Sequence, residues 1–182
     1  MPSMSSHMAI AKRVSEILNI KDKDFYKGNL LPDLYEDKNK SHYKINGTKY
    51  LIPNIKYVEE NIDLTKIINL GVLTHLLLDK YYLEEYLKDI KDNVFKNSKI
   101  YNDYDILNKD IKEHFNLDTD YLKSILKDYK EDINIDKLNN NIECLNIVKE
   151  GKTLYLEKES FIKFLEDISI KIANEINDWV IK

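Results

Sequence analysis

Between residues 64 and 87 the chain runs without a proline. Ile67, Ile68, Leu70, Val72, Leu73, Leu76, Leu77 and Leu78 would place apolar side chains around almost the whole circumference of a helix there. A helix with no polar stripe to give to water must lie at the centre of whatever the chain folds into. Two polar side chains interrupt it, His75 and Asp79. Four residues apart, they share one helix face, with Cβ atoms about 6 Å apart. An aspartate is almost never fully buried unless it is paired or bound to a metal. The pattern H-x-x-x-D in this setting is therefore either a buried His–Asp hydrogen bond or part of a metal site.

The rest of the chain reads as partners for that helix. With 182 residues, 43% of them apolar, it suits one globular domain over residues 1–182. Four glycines, three prolines and 33% charged residues in long helical patterns point to an all-α fold. The expectation is a bundle of about six to eight helices. A first helix to about Asn19 would be capped by Ser5 or Ser6 and turn Met8, Ala11, Val14, Ile17 and Leu18 inward. Gly28 and Pro32 are expected to interrupt a second helix and leave Asp33 on a turn. Asn46-Gly47 predicts a small β-hairpin near residues 42–52. Residues 118–131 and 135–150 read as amphipathic helices with solvated charged faces, and 153–157 as a short extended piece. A last helix over 159–181 carries Phe161, Phe164, Leu165, Ile168, Ile172, Ile176 and Trp179 on one stripe.

Several function classes drop out. Net charge is −4 and Arg13 is the single arginine, so there is no basic surface for nucleic acid. The single Cys144 rules out an internal disulfide or a cysteine-based zinc cluster, and is expected as a small core residue. Neither a signal peptide nor an apolar run of about 18 residues is present, so a soluble cytoplasmic protein is expected. No nucleophilic triad and no phosphate-cradling glycine loop competes for the chemistry.

Three further polar residues fall in positions from which they could join His75 and Asp79. His7 lies in the first turn of the first helix, where it is either an exposed or capping histidine or one that points across a cleft. Asp33 follows Pro32 among Leu30, Leu31 and Leu34, and His42 lies near the start of the expected hairpin. Three histidines and two aspartates offer nitrogen and oxygen donors suited to Zn²⁺, with Mn²⁺, Fe²⁺ or Ni²⁺ as alternatives. Five donors exceed the four of a closed structural site, which leaves a shared carboxylate or an open position. Water bound there, its pKa lowered towards about 7, would be a nucleophile at neutral pH. Asp103, within 101–105, is either a sixth ligand or the N-cap of a following helix. His114 is expected to face solvent.

His7, Pro32-Asp33, Ser41-His42-Tyr43 and the run from Thr74-His75 to Asp79 together resemble, in order and approximate spacing, the zinc-dependent phospholipase C family. That family shares its fold with the P1-type nucleases, and the resemblance covers roughly the first half of the chain. It implies a helical bundle around zinc, with His7, His42, His75 and Asp79 as ligands and Asp33 as both ligand and candidate base. It further implies a phosphoric ester or phospholipid head group as substrate, attacked by a metal-bound water. The chain departs from the family where further ions would bind. It lacks an initial tryptophan, Trp179 being its only one, and a further histidine soon after the helix pair, and it has no H-x-x-x-E. A helical binding module with a structural or degenerate metal site is therefore the second expectation, and a nuclease or nucleotide phosphodiesterase the third.

Overall fold

The computed structural model describes residues 1–96, 98–126 and 135–180. Helix α1 (Met4–Ile17) starts less than a turn earlier than Ser5 or Ser6 would set it, because the Ser3 hydroxyl accepts the Ser6 N–H. Ser5 is buried instead, and its Oγ donates to Asn108 Oδ1 at 2.6 Å. Helix α2 (Lys23–Leu34) begins at Asp22 and runs on through both Gly28 and Pro32, against the expected break. Pro32 lies in its last turn, so its missing N–H removes a single helical hydrogen bond near the end of the helix. The exposed carbonyls of that turn are taken up from outside the helix. Ser41 Oγ donates to Pro32 O, and Lys38 Nζ donates to Asp33 O, both at 2.7 Å.

Lys38 and Ser41 bound the short helix α3 (Lys38–Ser41), capped by Asp37. The expected hairpin is reduced to one antiparallel bridge between Lys44 and Pro53, flanked by Ile45 N–H to Ile52 O and Asn54 N–H to Tyr43 O, each 2.9 Å. Pro53 has no N–H with which to extend a ladder, and Thr48 folds the intervening loop onto the Ile45 and Tyr50 carbonyls. Gly47, at φ +79°, makes the turn that Asn46-Gly47 predicts.

Helix α4 (Ile55–Asn61) leads to the central α5 (Ile67–Tyr81), which continues into a π-helical turn, Tyr82–Tyr86. Then come α6 (Lys91–Val94), α7 (Ile100–His114), α8 (Thr119–Leu126), α9 (Ile135–Cys144) and α10 (Lys158–Val180). Residues 127–131 of the helix expected over 118–131, and the side chain of Cys144, lie outside what is described. Helix α9 ends before the expected 150, and residues 153–157 form no strand. Leu70, Leu73, Leu76, Leu77 and Leu78 of α5 are all fully buried, as are Phe161, Leu165, Ile172 and Ile176 of α10, which closes over α1 and α5. Among the described residues no helix is long and apolar enough to cross a membrane.

The most extensive helix pairing joins α2 and α5, and it depends on two glycines. A Cβ on Gly28 would lie 1.8 Å from Ile68 O, and one on Gly71 would lie 2.0 Å from Phe25 O. Backbone meets backbone here, so no side chain can move aside. In an ordinary exposed helix, Gly→Ala stabilises by about 1 kcal/mol. At this crossing the sign should reverse. Gly28→Ala and Gly71→Ala should each cost about 1–3 kcal/mol or more, read as a lower urea midpoint. A midpoint equal to or above wild type would contradict so close a crossing.

Candidate metal centre

The crossing sets the positions of five polar side chains. His7 comes from the first turn of α1, Asp33 from the last turn of α2 and His42 from the end of α3, while His75 and Asp79 project from the middle of α5. His7, His42, His75 and Asp79 are at most 1% exposed. His7, His75 and Asp79 offer donor atoms within 4.8 Å of one another, and so do Asp33, His42 and His75.

The hydrogen bonds at the backs of two imidazoles fix which nitrogens face this cluster. His75 Nδ1 lies 2.7 Å from Asn29 O, a carbonyl that can only accept. His42 Nδ1 lies 3.1 Å from Lys38 O and 3.0 Å from Ser41 Oγ. Since Ser41 gives its proton to Pro32 O, it too accepts from His42. Both Nδ1 atoms therefore carry hydrogen, and in the neutral rings both Nε2 atoms present lone pairs. Those lone pairs are 3.3 Å apart, and each is 3.4 Å from Asp79 Oδ2. On the other side of the same carboxylate, Asp79 Oδ1 lies 3.6 Å from His7 Nε2. His7 stacks on His75 with ring centroids 3.7 Å apart.

This arrangement is repulsive unless a cation sits within it. Both nitrogens of His7 and both oxygens of Asp79 are buried without a hydrogen-bond partner, a cost that native interiors rarely leave unmet. Donors bonded at about 2.0–2.2 Å to one tetrahedral ion stand about 3.3–3.6 Å apart. The separations among His42 Nε2, His75 Nε2 and Asp79 Oδ2 fall in that range. The donor set thus fits a zinc-sized cation on an observation independent of any family likeness. The carbonyls behind the imidazoles are the outer hydrogen bonds that orient metal-ligating histidines.

Charges in the metal-free cluster follow from the same geometry. Burial, then His75, pushes His7 down to about 3, and the same two causes push His42 down to about 4. Burial also opposes charge on His75, but Asp79, Asp33 and the Asn29 carbonyl outweigh it and raise the pKa. For Asp79 and Asp33, burial would favour the neutral acid, yet the neighbouring histidines, and Lys38 for Asp33, hold both carboxyls below the usual range. A proton on His75, favoured by that raised pKa, can take the place of the ion. A divalent cation need displace only that proton, because His7 and His42 are already neutral at pH 7.

Asp103 does not join either group. Its two oxygens accept the backbone N–H groups of Leu154, Tyr155 and Leu156 at 2.6–3.1 Å, which pins the 153–156 segment to α7. That corrects both readings offered for it, ligand and cap of its own helix. His114 is on the surface, 2.9 Å from Glu166. The sequence reasoning missed Asn29 and Lys38. Asn29 is one helical turn before Asp33, and that spacing was the available signal. Lys38 bonds Asp33 through both the main-chain oxygen and Oδ1.

Two expectations follow. Chelation of metal-loaded protein should lower its melting temperature, since an ion bound only by the folded state stabilises it by mass action. Asp79→Ala should remove this dependence on chelator; an Asp79→Ala protein that still melts lower after chelation would place the ion elsewhere. The second concerns the metal-free protein. Unfolded imidazoles titrate near 6.5, whereas His7 and His42 in the fold do so near 3 and 4. Between those values the unfolded chain holds more protons, so stability should fall as pH drops from about 6.5 towards 4. His75, shifted the other way, contributes stability that is lost only as pH rises through its raised value. The melting temperature of chelated protein should therefore decline across that acidic range, and less steeply in His7→Asn. An equal decline in that variant would contradict the assignment.

A sequence model of the family described as zinc dependent phospholipase C matches residues 6–162, a span that contains all five converging residues and most of the bundle. No curated protein and no solved structure matches the chain. The match spans most of the chain, and the buried His/Asp groups are able to hold its metal. The chain belongs to the zinc-dependent phospholipase C family.

Proposed function

We propose that the protein is a zinc-dependent hydrolase of phosphoric esters, phospholipase C-like, with His7, Asp33, His42, His75 and Asp79 as its metal-binding residues. The observation that carries this reading is the contact between the buried cluster and an open cavity. A cavity of about 420 Å³ is lined by Asp33 and Lys38 together with Met1, Tyr101, Tyr104 and Asn108. That volume suits a small phosphoric ester or a lipid head group. Asp33 belongs to both the cluster and the cavity wall, and its side chain is 13% exposed where Asp79 is fully buried.

Bound zinc would supply a Lewis acid for the phosphoryl oxygens and would acidify a coordinated water. The remaining roles fall to the chain itself. His75 and Asp79 are held by a buried helix and fix the centre in place. Asp33, ionised at neutral pH beside Lys38, is placed to accept a proton at its carboxylate from water entering by the cavity. Tyr104, whose hydroxyl is tied to Tyr82 and to the Met1 carbonyl, each at 2.7 Å, forms part of the cavity wall.

The Lys38–Asp33 ion pair favours one alternative, a binding module that holds metal without turnover, because a carboxylate so engaged is a poorer base. Turnover separates the two. Zinc-loaded protein should hydrolyse simple nitrophenyl phosphodiesters or phosphocholine esters. Asp33→Asn keeps shape and an oxygen donor but removes the charge and the base, so it should retain bound zinc and lose about 10²–10⁴-fold in rate. If zinc-loaded wild type turns over no ester, phospholipid or nucleotide in a broad panel, the binding-module reading replaces this one.

A further inference from the structure

We propose that Lys38 is the anion-binding residue of the cavity, holding a phosphoryl oxygen of the ligand next to the metal centre. This inference rests on the reading of the site as one for phosphoric esters. Among the described residues lining the cavity, Lys38 is the only basic side chain, and the other charged side chains are the carboxylates of Asp33 and Asp105. Its ammonium carries three N–H donors. Two are directed to Asp33, one to the main-chain oxygen and one to Oδ1, which anchors the head group of an otherwise flexible side chain. The side chain remains 32% exposed, so the ammonium is anchored without being sealed off. Its anchor residue, Asp33, also reaches towards His42, with Oδ1 3.8 Å from Nε2. An oxygen bound at Lys38 would therefore lie beside the cluster.

Charge balance gives Lys38 a defined task. Asp105 is paired with Lys149 at 3.5 Å; Asp33 and Asp79 carry two further negative charges, which one divalent ion neutralises. A phosphodiester entering this partly buried space brings one more negative charge, and an uncompensated charge away from water is costly. Lys38 supplies a balancing positive charge on the cavity wall; Met1 lines the same cavity, but burial lowers the pKa of its amino group and disfavours the charged form. A centre with a single ion thus gains from this lysine when it holds an anion, and the ion pair with Asp33 keeps the lysine ordered until the anion arrives.

Inorganic phosphate is the probe. Binding to zinc-loaded wild type, Lys38→Met and Lys38→Arg would be measured by calorimetry, with zinc content determined in each sample. A charge-assisted hydrogen bond corresponds to about a 10- to 100-fold change in affinity. Lys38→Met with zinc retained should weaken phosphate by that factor, and Lys38→Arg should recover most of it. A second readout uses the wild type alone, so it does not depend on a variant folding. Phosphate should slow acylation of Lys38 relative to the exposed Lys40, scored by peptide mass spectrometry. Undiminished affinity in zinc-loaded Lys38→Met, or no protection of Lys38 by phosphate, would overturn the proposal. Turnover in the wild type combined with either result would overturn this inference while leaving the hydrolase reading intact. Lys38-dependent phosphate binding without turnover would do the reverse.

Discussion

The close crossing of α2 over α5 is the constraint on which the rest depends. At Gly28 and Gly71 the two backbones approach within a distance that excludes even a methyl group. Because they do, the carbonyl of Asn29, the residue after Gly28, reaches His75 Nδ1, one turn beyond Gly71. The crossing also carries Asp33, at the end of α2, up to the polar face of α5. Apolar burial holds the helices together, but it is the missing side chains that let a backbone oxygen select the tautomer of a buried histidine. Packing and site chemistry are thus settled by the same two residues.

A second consequence is electrostatic. Lone pairs of His42 and His75 face each other and an Asp79 oxygen across 3.3–3.4 Å, in an interior where water cannot relieve the repulsion. Such an arrangement stays folded only with positive charge inside it. The raised pKa of His75 lets a proton serve when no metal is present. The apolar surface of α5 and α10 supplies what the metal-free protein needs to hold the donors in place.

The all-α class was legible in the sequence because α5 is apolar on every face and α10 has a clean stripe. Asp33, His75 and Asp79 were legible for a related reason, whereas His7 and His42 entered the set through the family resemblance. Polar side chains set in apolar segments have few explanations, and His75 with Asp79 share a face by spacing alone. Other features depended on partners far along the chain. Helix α2 survives Pro32 because Ser41 and Lys38 bond its last carbonyls, which no local propensity encodes. The hairpin signal at Asn46-Gly47 specified a turn correctly, but Pro53 limited the pairing to one bridge. Asp103 read equally well as a cap or a ligand, and only the distant 153–156 segment decides that it holds a loop. Lys38 looked like one charge in a solvated run, since a tertiary ion pair leaves no periodic trace.

The central claim is that a buried set of histidine and aspartate donors holds zinc, with no sulfur among them. X-ray absorption at the zinc edge, on protein loaded with zinc and freed of excess, addresses the donors themselves. The account predicts a nitrogen and oxygen shell at about 2.0–2.2 Å, with the outer-shell scattering of at least two imidazoles. That scattering should weaken in His75→Asn. A spectrum without imidazole scattering, one with a sulfur shell near 2.3 Å, or one unchanged in His75→Asn would contradict it.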